Sequence, residues 1–310
     1  MSDEGGAFVT PRAAELLALT ELLSPHMAGG ANRLAELMSQ VQAADALLEA
    51  DVPDEGDKEW LRGALRQVSG ERIDHWRREI GRLHATMTSI VTLFDVGYPS
   101  NLRLIHNRPP VLFIRGRYLE SDARAVAIVG TRAASDEGVG KAVELARQLS
   151  ERQITVVSGL AQGIDTAAHS GAVNSGGRTI AVFGTGIDLV HPVRNRSLAR
   201  AIERSGACVS QYWPSQRGAK WTFPLRNIVT SGLSLGTVVV EASETSGARL
   251  QANDARLHGK RLFLMRTLLE QPWAREMAAD DPGVTIVDDV DDVVRAVEVD
   301  LCVNEPELVF

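Results

Sequence analysis

Four short apolar runs, rich in β-branched residues, recur along the middle of this chain. They occupy residues 125–129, 154–157, 179–183 and 237–240. Threonine is their only polar residue, which is typical of strands covered on both faces. Apolar residues at helical spacing fill the stretches between the first three runs, for instance residues 139–149. The alternation predicts βαβ units, so we expect an α/β, Rossmann-like, mainly parallel sheet over residues 125–265, with helices on both faces.

The flanking regions have different patterns. Residues 11–23, 33–48, 60–68 and 72–93 space their apolar residues as helices do, which predicts a small N-terminal helical domain over residues 1–96. Trp60 and Trp76 are expected to pack its core. A connecting segment, residues 97–124, holds one predicted strand at 111–114. The Rossmann-like domain then runs over residues 125–310, with a last strand at 284–287 and an amphipathic helix at 288–297.

The predicted strands end in residues that suit a phosphorylated ligand. Carboxyl ends of parallel strands meet at one edge of a sheet, where glycine allows close approach and helix N-termini offer free N–H groups. The ligand would be a nucleotide, a dinucleotide or a nucleic-acid backbone. In the alternative interpretation each glycine only makes a tight turn. The residues concerned are Gly130, Thr131, Arg132, Ser158, Gly159, Gly163, Gly184 and Gly186.

Two well-known nucleotide motifs are absent from the sequence. No G-x-x-x-x-G-K-[ST] occurs, which argues against a P-loop hydrolase. The turn that begins at Gly130 lacks the second and third glycines of the dinucleotide fingerprint. Gly184 and Gly186 also follow a strand, but Asp188 and Pro192 stand where a helix should begin. A redox enzyme is therefore not favoured.

Charge is distributed unevenly along the chain. The net charge is −7, yet residues 121–266 carry 18 basic and 11 acidic side chains, whereas residues 267–310 carry 2 basic and 12 acidic. A basic middle with an acidic tail indicates a polyanion site on one part of the surface, although ordinary surface charge is the alternative. Only two cysteines occur, Cys208 and Cys302, which argues against a disulfide framework or zinc site and favours the cytoplasm.

Basic and aromatic residues interleave in one segment, residues 212–227. Trp213, Trp221 and Phe223 lie beside Arg217 and Lys220. Aromatic faces stack on unpaired bases and cations hold phosphates, so this mixture favours single-stranded over duplex nucleic acid. The alternative is a loop packed by its own aromatic side chains.

Two further patterns have a structural and a functional interpretation. Asp165 and His169 lie four residues apart, so on a helix they share a face. They are either a proton-transfer pair or part of a buried hydrogen-bond network that fixes the turn, and the second is favoured. Arginines recur at near-helical spacing after Pro192, either as a solvated face or as a track for a DNA backbone. They are Arg194, Arg196, Arg200 and Arg204.

Six motifs together resemble the DNA-processing protein A (Smf) family. They are VAIVGTR (126–132), VVSGLAQGIDTAAH (156–169), GGRTIAVFGTGID (176–188), HPVRN (191–195), FPLRN (223–227) and the series SGLS, VVVEA and SGA (231–248). The resemblance spans residues 97–260. It implies a Rossmann-like protein of DNA uptake and recombination that binds single-stranded DNA and helps to load a RecA-type recombinase. A homodimer is a further expectation.

The strand ends and the resemblance together define a set of expected DNA- or phosphate-binding residues. No catalytic residue, metal or cofactor is assigned. The set is Gly130, Thr131, Arg132, Ser158, Gly159, Gly163, Gly184, Gly186, Arg194, Asn195, Lys220, Arg226, Asn227, Ser246 and Gly247.

Departures from the family pattern keep other functions open. Ile228 stands where the family has a second arginine, and Gln211 where it has a glutamate. One alternative is a nucleotide sensor or a phosphoribohydrolase-like enzyme, although its PGGxGT signature is absent and Glu241 is the only carboxylate that fits a catalytic role. A second alternative is an interaction scaffold with a vestigial pocket.

Overall fold

The structure is a computed structural model that describes residues 12–24, 30–289 and 291–297. Its strands form one nine-stranded sheet. Their spatial order is β1-β2-β6-β5-β4-β3-β7-β8-β9. From β6 to β9 all neighbours are parallel, and β2 pairs antiparallel with β1 and β6. This confirms the predicted sheet. The bounds are β1 (Thr88–Thr92), β2 (Val111–Gly116), β3 (Ala125–Val129), β4 (Thr155–Ser158), β5 (Thr179–Val182), β6 (Ala207–Ser210), β7 (Gly236–Val239), β8 (Arg261–Met265) and β9 (Val284–Val287).

Helices cover the sheet in two groups whose members contact one another. The first group is α7, α8 and α9, and the second includes α6, α10 and α11. None of the helices in the described ranges is long and apolar enough to cross a bilayer. The bounds are α1 (Ala13–Leu23), α2 (Gly30–Gln40), α3 (Ala44–Leu48), α4 (Glu55–Leu65), α5 (Gly70–Ala85), α6 (Ser100–Arg103), α7 (Asp136–Glu151), α8 (Ile164–Asn174), α9 (Arg196–Ser205), α10 (Thr222–Leu233), α11 (Gly247–Leu257) and α12 (Pro272–Asp280).

The N-terminal region is less purely helical than its pattern predicts. The helix expected over residues 72–93 ends at Ala85, and Met87 takes a left-handed φ of 55° that breaks it. The next residues alternate between buried and half-buried positions and pair as β1 with β2. The helix prediction for this stretch is therefore wrong, because threonine and β-branched residues complete a sheet edge that local spacing does not reveal. The domain boundaries stay a prediction.

Other local predictions hold with small shifts. Trp76 is buried, and Trp60 is half-buried beneath the Arg33 guanidinium, 4.3 Å from its ring. Residues 284–287 form β9 as expected, and of the predicted helix at 288–297 the described residues 291–297 are helical. Cys208 is buried, whereas Cys302 and Pro11 lie outside the described residues. Strand β6 was not anticipated.

The order of the strands fixes where a ligand can bind. Strand β3 lies between β4 and β7. The chain proceeds from β3 towards β6 in one direction and, after returning, from β7 towards β9 in the other. The turns that follow β3 and β7 therefore diverge and leave a crevice outside their carboxyl ends, which is where open parallel sheets bind ligands.

Candidate functional site

A cleft of about 690 Å³ opens at this crevice. Its walls are the turn after β3, the segment around the start of α10, and the loop that leads from β7 into α11. It brings together eight of the fifteen residues that the sequence predicts to bind DNA or phosphate. They are Gly130, Thr131, Arg132, Lys220, Arg226, Asn227, Ser246 and Gly247.

The turn after β3 presents one arginine to this cleft. A Cβ atom on Gly130 would lie 2.4 Å from Ile164 and 2.8 Å from the Glu241 carbonyl oxygen, so only glycine fits this close approach. The Thr131 N–H donates to the Glu241 carbonyl at 2.7 Å, which fixes the turn against the end of β7. Arg132 is exposed, and its guanidinium lies 5.6 Å from the centre of the Phe223 ring. No carboxylate of the described residues forms an ion pair with Arg132.

The opposite wall of the cleft contains a lysine and a phenylalanine. Lys220 is exposed, and no acidic side chain in the described part of the chain pairs with it. Phe223 is half-buried beneath Arg132, and the His191 ring lies 5.4 Å from it. A Cβ on Gly184 would lie 2.5 Å from the Phe223 ring. Gly184 therefore makes room for an aromatic side chain and does not approach a ligand itself.

The loop after β7 supplies hydroxyl groups and a helix N-terminus. The Ser246 hydroxyl accepts a hydrogen bond from the Ala248 N–H at 3.3 Å and so caps α11. Gly247 is the first residue of that helix and has open space beside it. Ser243 and Thr245 also line the cleft but were not expected. They follow β7, and the sequence gives no sign that β7 lies beside β3.

Arg226 forms the buried back of the cleft. It is 5% exposed, and its Nη1 donates to the carbonyls of Gly159 and, at 2.7 Å, of Val182. Its Nε donates to Asn227 Oδ1 at 3.3 Å. Burial lowers the pKa of Arg226, opposed by the nearby Asp165 carboxylate. Arginine remains charged in proteins, so Arg226 brings a positive charge to the cleft and also holds β4 to β5.

Asp165 accepts hydrogen bonds from the N–H groups of the turn after β4. Its Oδ2 accepts from the Gly159 and Ala161 N–H groups, each at 3.2 Å. Burial raises the pKa of Asp165, opposed by the charge of Arg226 and by these hydrogen bonds. The expectation that N–H groups around Gly159 line the groove is therefore wrong, because a carboxylate of the fold already binds them.

His169 is a structural residue and does not act on Asp165. Its Nδ1 shares a 2.7 Å hydrogen bond with the Thr179 hydroxyl, and it is fully buried. Burial is the main cause that lowers the pKa of His169 to about 3, so the imidazole is neutral at physiological pH. Since Asp165 and His169 bind different partners, the structure supports the structural interpretation of this pair.

The other expected site residues have roles within the fold. The Ser158 hydroxyl donates to the Ile128 carbonyl at 2.6 Å, and the Gly186 N–H donates to the Gln216 carbonyl at 2.8 Å. Gly186 therefore does not offer its N–H to a ligand, which corrects the expectation. Asn195 is buried and donates to the Leu160 carbonyl and the Thr166 hydroxyl.

Two expected site residues link the cleft to its surroundings. Gly163 is the N-cap residue of α8 and has a φ of 81°, and a Cβ there would lie 2.3 Å from the Thr131 carbonyl oxygen. It therefore packs the turn after β4 against the turn after β3. Arg194 is exposed and donates to Gln162 Oε1 at 2.7 Å.

The aromatic residues of segment 212–227 divide between core and surface. Trp213 is 8% exposed, its Nε1 donates to the Ser24 carbonyl, and its ring lies 5.0 Å from that of Trp76. It cannot stack on a base, so its predicted role is wrong. Trp221 is 39% exposed, and its ring contacts that of Tyr212 in an edge-on arrangement at 6.1 Å.

Glu241, the carboxylate suggested for a catalytic alternative, has a structural partner. Its Oε2 accepts from the Ser135 hydroxyl at 2.8 Å and from the Ser135 N–H at 3.1 Å. Ser135 is the residue that caps α7. Glu241 therefore ties the end of β7 to the start of α7.

The model of one protein family, DNA recombination-mediator protein A, matches residues 89–298. This chain belongs to that family. Membership confirms the resemblance read from the motifs. It also confirms a role in DNA processing and recombination, and it does not favour the phosphoribohydrolase-like alternative.

Individual members of the family resemble this chain to different extents. DNA processing protein DprA from Streptococcus pneumoniae is 40% identical over 220 residues, 67% of this chain and 76% of that protein. Protein Smf from Synechocystis is 40% identical over 173 residues, which are 54% of this chain but only 44% of that longer protein.

Solved structures of the family share the fold. DNA processing protein A from Streptococcus pneumoniae superposes with a TM-score of 0.72 at 27% identity, over 91% of this chain and 96% of that one. DNA processing protein A from Helicobacter pylori, a protein with a described single-stranded DNA binding mode, gives 0.60 at 24% identity, over 68% of this chain and 96% of that one. At that identity the second comparison supports the fold alone.

Proposed function

We propose that this chain binds single-stranded DNA in the cleft at the β3–β7 crevice. The observation that carries the proposal is the concentration of positive charge there, from Arg132, Lys220 and Arg226. The one acidic side chain that lines the cleft, Asp165, is buried and engaged with backbone N–H groups. The cleft therefore attracts anions.

The residues around the cleft have separate tasks in this proposal. Arg132 holds one phosphate, since a planar guanidinium can donate two parallel hydrogen bonds to it. Lys220 neutralises a second phosphate, and the N-terminus of α11 offers the Gly247 N–H and the Ser246 hydroxyl to a third. Trp221 stacks on an unpaired base. No bond is broken, so binding and positioning are the whole contribution of the site.

A preference for single strands tests the proposal directly. Fluorescence anisotropy would compare a labelled oligonucleotide of roughly 15 nucleotides with its duplex form. We expect tighter binding of the single strand, and we expect Trp221→Ala to weaken it by about 5- to 100-fold, because stacking contributes about 1–3 kcal/mol per base. The buried Tyr212→Phe change, which removes no exposed ring, is the control. Equal affinity for both forms of the oligonucleotide would contradict the proposal.

We also propose that the chain loads a RecA-type recombinase onto the strand it holds. The support is membership of a family described as a recombination mediator. The test measures recombinase filament growth on single-stranded DNA with and without this chain, and with Arg132→Ala. Growth that is not accelerated by the wild-type chain would contradict recombinase loading but leave strand binding intact.

A homodimer in the cytoplasm completes the proposal. Its support is a pair of exposed leucines on α11: Leu250 is 52% exposed and Leu257 is 64% exposed. Light scattering after gel filtration should give twice the mass of the chain, and Leu257→Arg should return it to the monomer mass. Cell fractionation would test the compartment.

A further inference from the structure

Helix α9 carries a row of arginines that lies outside the cleft. Arg196, Arg200 and Arg204 are exposed and four residues apart, so they follow one side of the helix at intervals of about 6 Å. We call this row the α9 ridge. No carboxylate in the described part of the chain forms an ion pair with any of the three.

The ridge opposes the local preferences of a helix. Like charges four residues apart repel each other, and a cation in the first turn interacts unfavourably with the helix dipole. On some other helices ion pairs neutralise the arginines: on α7, Arg147 pairs with Glu144 and Glu151, and on α5, Arg82 pairs with Glu79. Violations of local preference concentrate at functional sites.

The one carboxylate on α9, that of Glu203, can offset only one of the three positive charges of the ridge. Glu203 is half-buried, and burial raises its pKa against the opposing influence of Arg115, Arg200 and Arg204. The nearby Asp188 is engaged by Arg82 and Arg115. The ridge therefore keeps a surplus of positive charge on the surface.

The start of the ridge is connected to the cleft through two contacts. The His191 ring packs 5.4 Å from Phe223, which lies in the cleft, and three residues later Arg194 donates to Gln162. Gln162 follows Ala161, which also lines the cleft. Helix α9 begins directly after this segment and extends about 15 Å away from the carboxyl edge of the sheet.

We infer that the α9 ridge is a second binding site, which holds the phosphates of a single DNA strand as it leaves the cleft. The inference rests on the proposed function, because the strand must first occupy the cleft. A short strand fills the cleft only, whereas a longer one continues over His191 and Arg194 onto the ridge. Length dependence is the property that separates the two sites.

The experiment measures affinity for oligothymidylates of roughly 6 and roughly 30 nucleotides, at several salt concentrations. The ridge variant carries Arg196→Gln, Arg200→Gln and Arg204→Gln. The matched control carries Arg62→Gln, Arg66→Gln and Arg78→Gln. These are exposed arginines of α4, of its C-cap position and of α5, and they likewise form no ion pair within the described residues. Both variants lose the same charge, so the comparison isolates position.

We expect the ridge variant to bind the long strand roughly 10- to 100-fold more weakly at 0.1 M salt, with a salt slope reduced by about 2, because three fewer counterions are released. The affinity of the ridge variant for the short strand should change by less than about twofold. The affinities of the control variant for the short and the long strand should also change by less than about twofold. The melting temperature of the ridge variant should not fall, since repulsion on α9 is relieved.

Three results would overturn the inference. If the ridge variant and the control variant lose the same affinity for the long strand, the overall positive charge of the protein and not the ridge is responsible. If the ridge variant also loses the short strand, the ridge is part of the cleft and not a second site. If the wild-type chain binds neither length, the proposed function itself fails.

Discussion

The turns after β3 and β4 look alike in sequence but differ in the structure. Both follow a buried parallel strand, and both contain glycine. The turn after β4 is closed, because Asp165 accepts its N–H groups and Arg226 binds the Gly159 carbonyl. The turn after β3 is anchored through Thr131 and Ser135 and leaves Arg132 exposed at the cleft. A glycine-rich strand end thus becomes a binding site only where the fold does not use its polar groups.

The closed turn also supports the open one. Gly163 presses the start of α8 against the Thr131 carbonyl, and Arg226 spans the floor between β4 and β5. The position of Arg132 therefore depends on residues that no ligand touches. The experiments below separate the supporting role from the binding role.

The largest effect is expected when the closed turn loses its arginine. Arg226→Met leaves the buried Asp165 carboxylate without its counter-charge and should lower the free energy of unfolding by about 3–5 kcal/mol. Urea titration followed by circular dichroism measures it. Lys220→Met removes an exposed cation of the same cleft, so its free energy of unfolding should stay within about 0.5 kcal/mol of wild type. Similar values for the two variants would mean that Arg226 does not hold the turn.

A glycine pair tests the contact between the two turns. Gly163 has a φ of 81° and a backbone oxygen 2.3 Å from the position of an added Cβ, whereas Gly176 has a φ of 71° and open space. Gly163→Ala should lower the free energy of unfolding by about 2–4 kcal/mol, because the added Cβ both strains the left-handed backbone and clashes with the Thr131 carbonyl oxygen. Gly176→Ala carries the strain alone, about 1–2 kcal/mol.

The same pair has a second measurement. Gly163→Ala should also weaken DNA binding, since its Cβ displaces the backbone of Arg132, while Gly176→Ala should not. Equal effects of the two glycine variants on stability and on binding would show that the turns do not support each other.

The open turn should behave in the opposite way. Arg132→Ala should weaken binding of single-stranded DNA by about 10- to 100-fold, because a hydrogen-bonded charge contributes about 1.5–3 kcal/mol. The salt slope should fall by about 0.7 for one lost phosphate contact, and Arg132→Lys should restore part of the affinity. The free energy of unfolding should change by less than about 0.5 kcal/mol. A lowered melting temperature with unchanged affinity would assign Arg132 to the scaffold.

The smallest effect is the dependence of stability on pH that the buried His169 causes. The pKa of His169 is lowered to about 3 in the folded protein, while an unfolded histidine titrates near 6.5. Below pH 6.5 the unfolded chain binds the additional proton, so stability falls by up to about 1.4 kcal/mol per pH unit as pH decreases.

Substitution of His169 removes this dependence. The stability advantage of the wild type over His169→Gln should therefore shrink by about 1.4 kcal/mol for each pH unit below 6.5. His258, whose pKa burial lowers to about 4, contributes equally to both proteins. The exposed His191→Gln, which removes no buried imidazole, is the control. If the difference in free energy of unfolding between the wild type and His169→Gln did not depend on pH, the result would contradict a buried neutral imidazole.

Local sequence determined much of the fold. Apolar runs followed or preceded by glycine identified β3, β4, β5 and β7, because strands buried on both faces contain few polar residues. The ordered motifs identified the family, and the strand end at Gly130 identified Arg132 as a residue that faces a cleft. These properties depend on residues close together in the chain.

Tertiary structure decided which of the expected residues face the cleft. Strand β7 lies beside β3 only after a long crossover, and this brings Ser243 and Thr245 to the cleft. Trp213 is buried because α1 and α5 cover it, although its neighbour Trp221 is exposed. The N–H groups after β4 are bound by Asp165, and burial of its charge is tolerable only beside Arg226, 61 residues later in the chain. Such pairings follow from packing, so only the folded chain assigns a polar group either to its own stability or to a ligand.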